Sequence, residues 1–378
     1  MPLIHTEDQT MLADTVRSFL AEQAPVGHMR ALRDADDKTG FSRDLWTRFA
    51  ELGLNGVLLD EADGGSGLGH VEAGIVLEEI GRNLTPSPFL LTAVGAATAL
   101  KDGSANQRQA WLPRICAGNA VGTLAVDESV RHRPERIGLK AEPVGSGFRL
   151  IGEKRFVTYG HVADFLIVAA RTAGSYDEEL GVTLFLVESD AANLTREAER
   201  LVDASFAARL KFDGVEVAAD SVIGDVDDGF TGLTKTLSAL RVGAAAEMIG
   251  LGSRALDMTI DYLKQRKQFG RLIGSFQALQ HRAAHLYAEM EVARAAVLKA
   301  EQLLNGDEDG AEQAVMVAKA MTVMASALAV QEGIQMHGGI GMTDEYDIGF
   351  YMKRQRVLAE LFGDADYHAN RLAHLAGY

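Results

Sequence analysis

The run Leu240-Arg241-Val242-Gly243-Ala244-Ala245-Ala246-Glu247-Met248-Ile249-Gly250 is apolar apart from one arginine and one glutamate. Downstream come Arg266-Lys267-Gln268-Phe269-Gly270, then Gln277, then Gln335-Met336-His337-Gly338-Gly339-Ile340-Gly341. Between and around them, residues 232–266, 276–305, 311–337 and 346–361 are rich in Ala, Leu, Met, Glu, Lys and Gln, all good helix formers. Four long helices predict a bundle, with a closing helix near 367–375. Met316, Met321 and Met324 read as bundle core rather than as contacts to a cofactor. The three motifs fall where helices begin or end, in basic, aromatic and glycine chemistry that a helix core does not need.

The chain before the bundle divides in two. Residues 1–119 read as helical. Thr6-Glu7-Asp8-Gln9 starts a helix with acids in its first turn, and Leu12, Val16, Phe19 and Leu20 recur at helical spacing. Residues 44–53 form a second amphipathic helix with a glycine stop, and helices follow over 70–82, 89–100 and 104–117. Asp63-Gly64-Gly65-Ser66-Gly67-Leu68-Gly69 follows a helix rather than a strand, so it reads as a turn and not as a dinucleotide loop. Residues 120–226 change character. Short apolar or alternating runs at 121–126, 147–152, 154–158, 165–170, 181–187 and 207–212 are separated by Gly, Asp and Ser, a pattern that predicts an antiparallel sheet or barrel. The expected architecture is therefore α+β: an N-terminal helical domain (1–119), a central antiparallel β-barrel domain (120–226) and a C-terminal four-helix bundle (227–378).

The totals bound the function. A chain of 378 residues is long for one hydrophobic core. Its formal charge of −16 repels nucleic acid and anionic membranes, so neither is expected as a partner. The single cysteine, Cys116, forms no disulfide within the chain and no cysteine metal cluster, and a reducing, cytoplasmic setting is expected. No metal site is expected. The N-terminus lacks the basic and apolar regions of a signal peptide. The apolar run at 242–252 is too short and too charged to span a bilayer.

Two carboxylate-bearing or basic positions in the opening helix bear on chemistry. Glu247 stands in apolar surroundings, where an unpaired carboxylate is costly. It reads either as a base or as one half of a buried ion pair, with Arg241 or a neighbouring helix. An arginine beside an aromatic and a glycine, as in Arg266–Gly270, suits a pyrophosphate and a flat ring, although cations also suit a helix C-terminus without any ligand. Glycines 338 and 339 let a backbone approach a ligand closely.

In this order, and over nearly the full length, the motifs resemble the acyl-CoA dehydrogenase family. Arg266–Gly270, Gln277 and the run Gln335-x-x-Gly338-Gly339-x-Gly341 match its C-terminal signatures. The ending Leu361-Phe362-Gly363-Asp364-Ala365-Asp366-Tyr367-His368 is most similar to the pimeloyl-CoA dehydrogenase small-subunit type. The resemblance implies FAD, an acyl-CoA substrate, a homo- or heterotetramer with a second dehydrogenase chain, and an electron-transfer flavoprotein as acceptor. It implies that Arg266, Phe269, Gln277, Gln335, Gly338 and Gly339 reach the cofactor of a neighbouring subunit, and that Phe156 and Thr158 lie near the flavin in the β domain. The implied reaction removes an α-proton from a thioester and delivers the β-hydrogen to flavin as hydride, which needs a carboxylate base.

The sequence departs from the family at three places. Where the family has a Thr-Glu-Pro and a Gly-Ser-Asp loop, this chain has Asp127-Glu128-Ser129-Val130-Arg131-His132-Arg133-Pro134. Arg131 and Arg133 supply charge there, for phosphates or for solvent. Both usual glutamate positions are empty, occupied by Gly363 and Leu240. Glu247 is then the expected base, with Arg241 holding or tuning a carboxylate; Asp364, next to the usual place, is a weaker candidate. Two other readings stand beside this one: a non-catalytic partner subunit of a heteromeric dehydrogenase, and a flavin monooxygenase of the same fold that needs no base.

Overall fold

The computed structural model describes residues 2–378. Helix α1 (Glu7–Gln23) opens with a capping box, in which the Thr6 hydroxyl accepts from Gln9 N and the Gln9 side chain accepts from Thr6 N. It is followed by α2 (Val26–Asp34), α3 (Arg43–Glu51) and α4 (His70–Asn83). A buried π-helical turn over Leu90–Ala96 leads into α5 (Ala97–Leu100), and α6 (Ala105–Cys116) starts with a second capping box on Ser104. Strands β1 (Gly122–Ala125), β2 (Lys140–Val144), β3 (Gly147–Thr158), β4 (Phe165–Arg171), β5 (Val182–Glu188), β6 (Leu194–Arg200), β7 (Phe206–Val217) and β8 (Val222–Ile223) come next. The long helix α7 (Gly229–Gln265) is followed by a hairpin of β9 (Lys267–Gln268) and β10 (Arg271–Leu272). Helices α8 (Gln277–Asn305), α9 (Ala311–His337), α10 (Ile348–Glu360) and α11 (Ala365–Leu375) complete the chain.

The sheet corrects the barrel expectation. Its order is β6-β7-β3-β2-β4-β5-β8, with β1 paired to β4, and the edge strands β6 and β8 do not close on each other. Nor is it wholly antiparallel, because β1 and β2 both pair with β4 in parallel. The edges show why it stays open. Strand β8 has two residues, and β6 carries Arg196, Glu197, Glu199 and Arg200, charges that discourage further pairing. The separate runs at 147–152 and 154–158 form one strand, β3, whose register slips at Leu150/Ile151 and again at Lys154/Val157. These are bulges, which glycine in a strand also marks. Strand β6 escaped the sequence reading because most of its residues are exposed and charged, without an apolar face.

The described residues fall into two compact units. A helical unit joins residues 2–35, 70–85 and 241–378; a sheet unit joins 36–69 and 86–240. The predicted spans 1–119, 120–226 and 227–378 follow chain order, whereas these units draw on separated stretches of chain. In the sheet unit the core is built from Leu139, Leu150, Leu166, Val168, Phe185, Leu210 and Phe212. In the helical unit a cluster of Leu256, Leu263, Ile273, Leu286 and Met336 packs with Tyr262 and Phe276.

Helix α9 continued to Met342 is long and apolar enough to cross a membrane by length and composition, more so than the run at 242–252. More than half of its most apolar window is buried, as in the core helix of a bundle. Met316 is fully buried there, whereas Met324 is exposed, which corrects its assignment to the core.

Candidate active site

Six of the expected cofactor-contacting residues lie in the helical unit. Helix α7 ends at Gln265, and the chain folds back through Phe269 (φ +55) and Gly270 (φ +77) at the tip of the β9–β10 hairpin. A two-residue turn with both residues left-handed matches the twist of a hairpin, and glycine takes its place without strain. Phe269, a phenylalanine in that conformation, is 90% exposed. Arg266 and Gln277, the first residue of α8, are exposed as well. The hairpin is anchored from beneath: the Phe276 ring meets Phe269 edge-on at 6.2 Å, and the Arg271 guanidinium lies 3.9 Å from the Phe276 ring centre.

At the end of α9, Gln335, Gly338 and Gly339 are exposed while Met336 and His337 are buried. A side chain built on Gly338 or Gly339 would meet nothing within 4 Å, so the backbone here is open to an approaching group. The His337 Nδ1–H donates to Gly333 O at 2.7 Å, and burial lowers the imidazole pKa, favouring the neutral ring.

Arg241 and Glu247 occupy the same unit but serve different neighbours. Arg241 is buried; its Nε donates to Phe362 O at 3.0 Å and its Nη2 to the Tyr367 hydroxyl at 3.4 Å. Glu247 is also buried, and its Oε1 accepts from Arg354 Nε at 2.7 Å. The sequence offered Arg241 or a neighbouring helix as the partner of Glu247; the structure gives Arg354 of α10. Asp364 is exposed and caps α11, accepting from Tyr367 N at 2.7 Å.

The sequence reading missed Lys319. Its ammonium, fully buried, donates to the carbonyls of Leu358, Ala359 and Gly363, each at 3.0 Å. Burial, and then the charge of Arg241, pull its pKa down to about 7. The signal was present: Lys319 is a lone lysine among Val315, Met316, Ala318 and Ala320, all of them buried. Lys319 and Arg241 together hold the turn at 362–363. In that turn Phe362 (φ +61) and Gly363 (φ +105) are both left-handed, and a Cβ on Gly363 would lie 2.4 Å from the Tyr367 ring.

Phe156 and Thr158 belong to the sheet unit. Phe156, left-handed at φ +54, is 41% exposed; Thr158 is buried, and its carbonyl accepts from the Thr123 hydroxyl at 2.8 Å. In the loop after β1, His132 Nδ1–H donates to Asp127 at 2.9 Å. Glu128 accepts from Lys154 Nζ at 2.7 Å and from the amides of Gly138 and Leu139. Arg131 and Arg133 are exposed. Asp127, which stands in place of the threonine, is thus engaged by His132 of the same loop, and Glu128 by Lys154 of β3.

The class of protein is set by the comparisons with known proteins, which match the helical segments at both ends of the chain. The description "Acyl-CoA dehydrogenase, N-terminal domain" matches residues 6–119, and "Acyl-CoA dehydrogenase, C-terminal domain" matches residues 227–376. Acyl-CoA dehydrogenase FadE12 of Mycobacterium tuberculosis is 31% identical over 362 residues, covering 94% of this chain and 92% of that protein. Among solved structures, a variant of the Tcur3481–Tcur3483 steroid ACAD is 32% identical with a TM-score of 0.89, covering 98% of each chain. The ChsE4–ChsE5 complex from Mycobacterium tuberculosis is 27% identical with a TM-score of 0.90, covering 100% of each. The chain thus belongs to the acyl-CoA dehydrogenase family, FAD-dependent oxidoreductases that act on CH–CH bonds.

The residues of the helical unit fit FAD. The open backbone at Gly338 and Gly339 leaves room for a cofactor, and Arg266 and Phe269 offer a cation for phosphate and a ring for stacking. These residues would hold FAD, which would supply the redox chemistry of a CH–CH oxidation.

Proposed function

We propose that this chain works in the α,β-desaturation of an acyl-CoA thioester as one of two unlike dehydrogenase subunits. In this reading its helical unit completes a flavin site whose base is supplied by the partner subunit. The observation that carries the reading is Gly363. With φ at +105 and the Tyr367 ring 2.4 Å from where a Cβ would sit, the turn is built around glycine, not around a glutamate that happens to be missing. The other usual position, Leu240, is fully buried and packs on Gly95, where a Cβ would lie 2.8 Å from the leucine side chain.

Glu247, the remaining carboxylate of the opening helix, is held by Arg354. We assign it a structural role, since the half-buried Arg354 already compensates its buried carboxylate. The exposed tip of the hairpin and the open glycine turn support a surface offered to a neighbour. The likenesses to Tcur3481–Tcur3483 and ChsE4–ChsE5, each named as a pair, support a two-component enzyme. Two substrate classes follow for comparison: steroid-derived thioesters, from the first likeness, and dicarboxylyl thioesters, from the pimeloyl-type ending. An electron-transfer flavoprotein is the acceptor in this reading.

The test is an anaerobic titration with both thioester classes. It uses the chain purified alone and the chain co-expressed with a second dehydrogenase of its organism that keeps a glutamate at either base position. The expected result is acyl-CoA-dependent bleaching of flavin in the complex and none in the chain alone. Bleaching by the chain alone, abolished by Glu247→Gln, would return the base to Glu247 and overturn the proposal.

A further inference from the structure

The hairpin and the glycine turn are separated by two long helices in sequence, yet one group of rings lies beneath both. The His337 ring stacks at 4.5 Å and 31° on Tyr262 and packs at 4.7 Å on Tyr346; the two tyrosines meet edge-on at 6.4 Å. Tyr262 is one helical turn before the hairpin, and its carbonyl accepts from Arg266 N at 2.9 Å. His337 directly precedes Gly338 and is pinned by its own bond to Gly333. Tyr346 lies just before α10, in the segment that follows the glycine turn. Met336, Tyr262, Ile273 and Phe276 share one apolar cluster, so the rings continue into the packing under the hairpin.

We infer that Tyr262, His337 and Tyr346 form a positioning cluster that fixes the spacing between Arg266–Phe269 and Gly338–Gly339. The inference rests on the proposed flavin role of those two elements, but the coupling between them is a property of this chain alone. The physical reason lies in the exposure of both elements. A two-residue hairpin tip and a glycine turn make few contacts of their own, so their geometry is set by what they stand on. Aromatic faces packed at these distances resist sliding, so the stacked ring of His337, rather than its bond to Gly333, ties the two elements together.

Two variants separate stacking from hydrogen bonding. His337→Phe keeps an aromatic face and loses the bond to Gly333; His337→Ala loses both. In hydrogen exchange on the purified chain, His337→Ala is expected to speed exchange of the amides of 266–277 and 338–343 by about tenfold, while His337→Phe stays close to wild type. In whichever form carries flavin, His337→Ala should weaken FAD binding by about tenfold and shift the visible flavin spectrum. His337→Phe should rescue both. Unchanged hairpin exchange in His337→Ala would overturn the inference. So would equal damage from both variants, which would assign the effect to the hydrogen bond. If no form of the protein binds FAD, the functional reading fails, while the exchange measurement still decides the coupling.

Discussion

Lys319 Nζ lies 3.0 Å from the carbonyl oxygen of Gly363, joining the middle of α9 to the turn where the family resemblance expects a catalytic glutamate. The same ammonium closes the last carbonyls of α10, at Leu358 and Ala359. A cation at a helix C-terminus satisfies groups that have no partner within the helix. Here it also holds a left-handed turn against Tyr367.

Replacing Lys319 with methionine should leave buried acceptors without donors and cost about 2–3 kcal/mol, read by urea unfolding at pH 6.5. A pH series adds a second check. The folded pKa, about 7, lies below the ordinary lysine value, so between the two the unfolded chain binds more protons and stability rises with pH. Wild type should therefore gain on Lys319→Met as pH climbs above neutrality. A constant difference from pH 6 to pH 9 would show that burial does not depress this amine.

Gly363→Ala should destabilise by about 1–3 kcal/mol, because the turn is left-handed and the added Cβ meets Tyr367. Gly363→Glu should not turn the lone chain into a dehydrogenase. Thermal melts and anaerobic acyl-CoA titration test the two statements separately. Bleaching by Gly363→Glu alone would mean that the turn accepts a base after all.

Breaking the Glu247–Arg354 pair should be asymmetric. Arg354→Leu strands a buried carboxylate and should cost about 2–4 kcal/mol; Glu247→Gln keeps its shape and should cost less. In the assembled enzyme Glu247→Gln should retain most of the activity, since the proposal gives Glu247 no proton to move. Complete loss of activity in a folded, flavin-loaded Glu247→Gln complex would assign it the base role.

Glu301 on α8 is buried beside Gly74, and burial, followed by the charges of Glu78 and Glu72, raises its carboxyl well above the usual range. Its folded pKa exceeds the unfolded one, so the folded state keeps a proton that the unfolded chain has already lost, and stability falls as pH rises from the ordinary carboxylate range. Glu301→Gln should be indistinguishable from wild type near about pH 4 and more stable by about 1 kcal/mol or more at pH 8. Parallel stability curves across that range would contradict a buried neutral carboxyl.

Phe269→Ala tests the exposed hairpin. A side chain with 90% of its surface in solvent contributes little to folding, so the melting temperature should hold while FAD binding in the complex weakens. A lowered melting temperature with unchanged FAD affinity would make Phe269 a structural residue.

Much of this was legible in the linear chain, for reasons that particular residues make plain. Thr6 with Gln9 and Ser104 with Gln107 mark helix starts through local hydrogen bonds. Apolar runs such as 165–170 announce buried strands, and the motifs at 266–270 and 335–341 carry the family resemblance. Strand β6 was not legible, because an exposed edge strand needs no apolar face. The open sheet was not legible either, because closure depends on whether two edges separated in sequence meet, and alternation along one strand does not record that.

The sequence by itself determined the order of helical and sheet segments, the family, the exposed chemistry of the hairpin and glycine turn, and the absence of a carboxylate at positions 240 and 363. Those are properties of residue type and local spacing. Only the tertiary structure decided what the charged residues do. It gave Glu247 to Arg354, turned Arg241 toward Phe362 and Tyr367, and placed Lys319 on Gly363. A buried charge is defined by the groups that satisfy it, and these lie far along the chain, on α10, on α11 and in the turn between them.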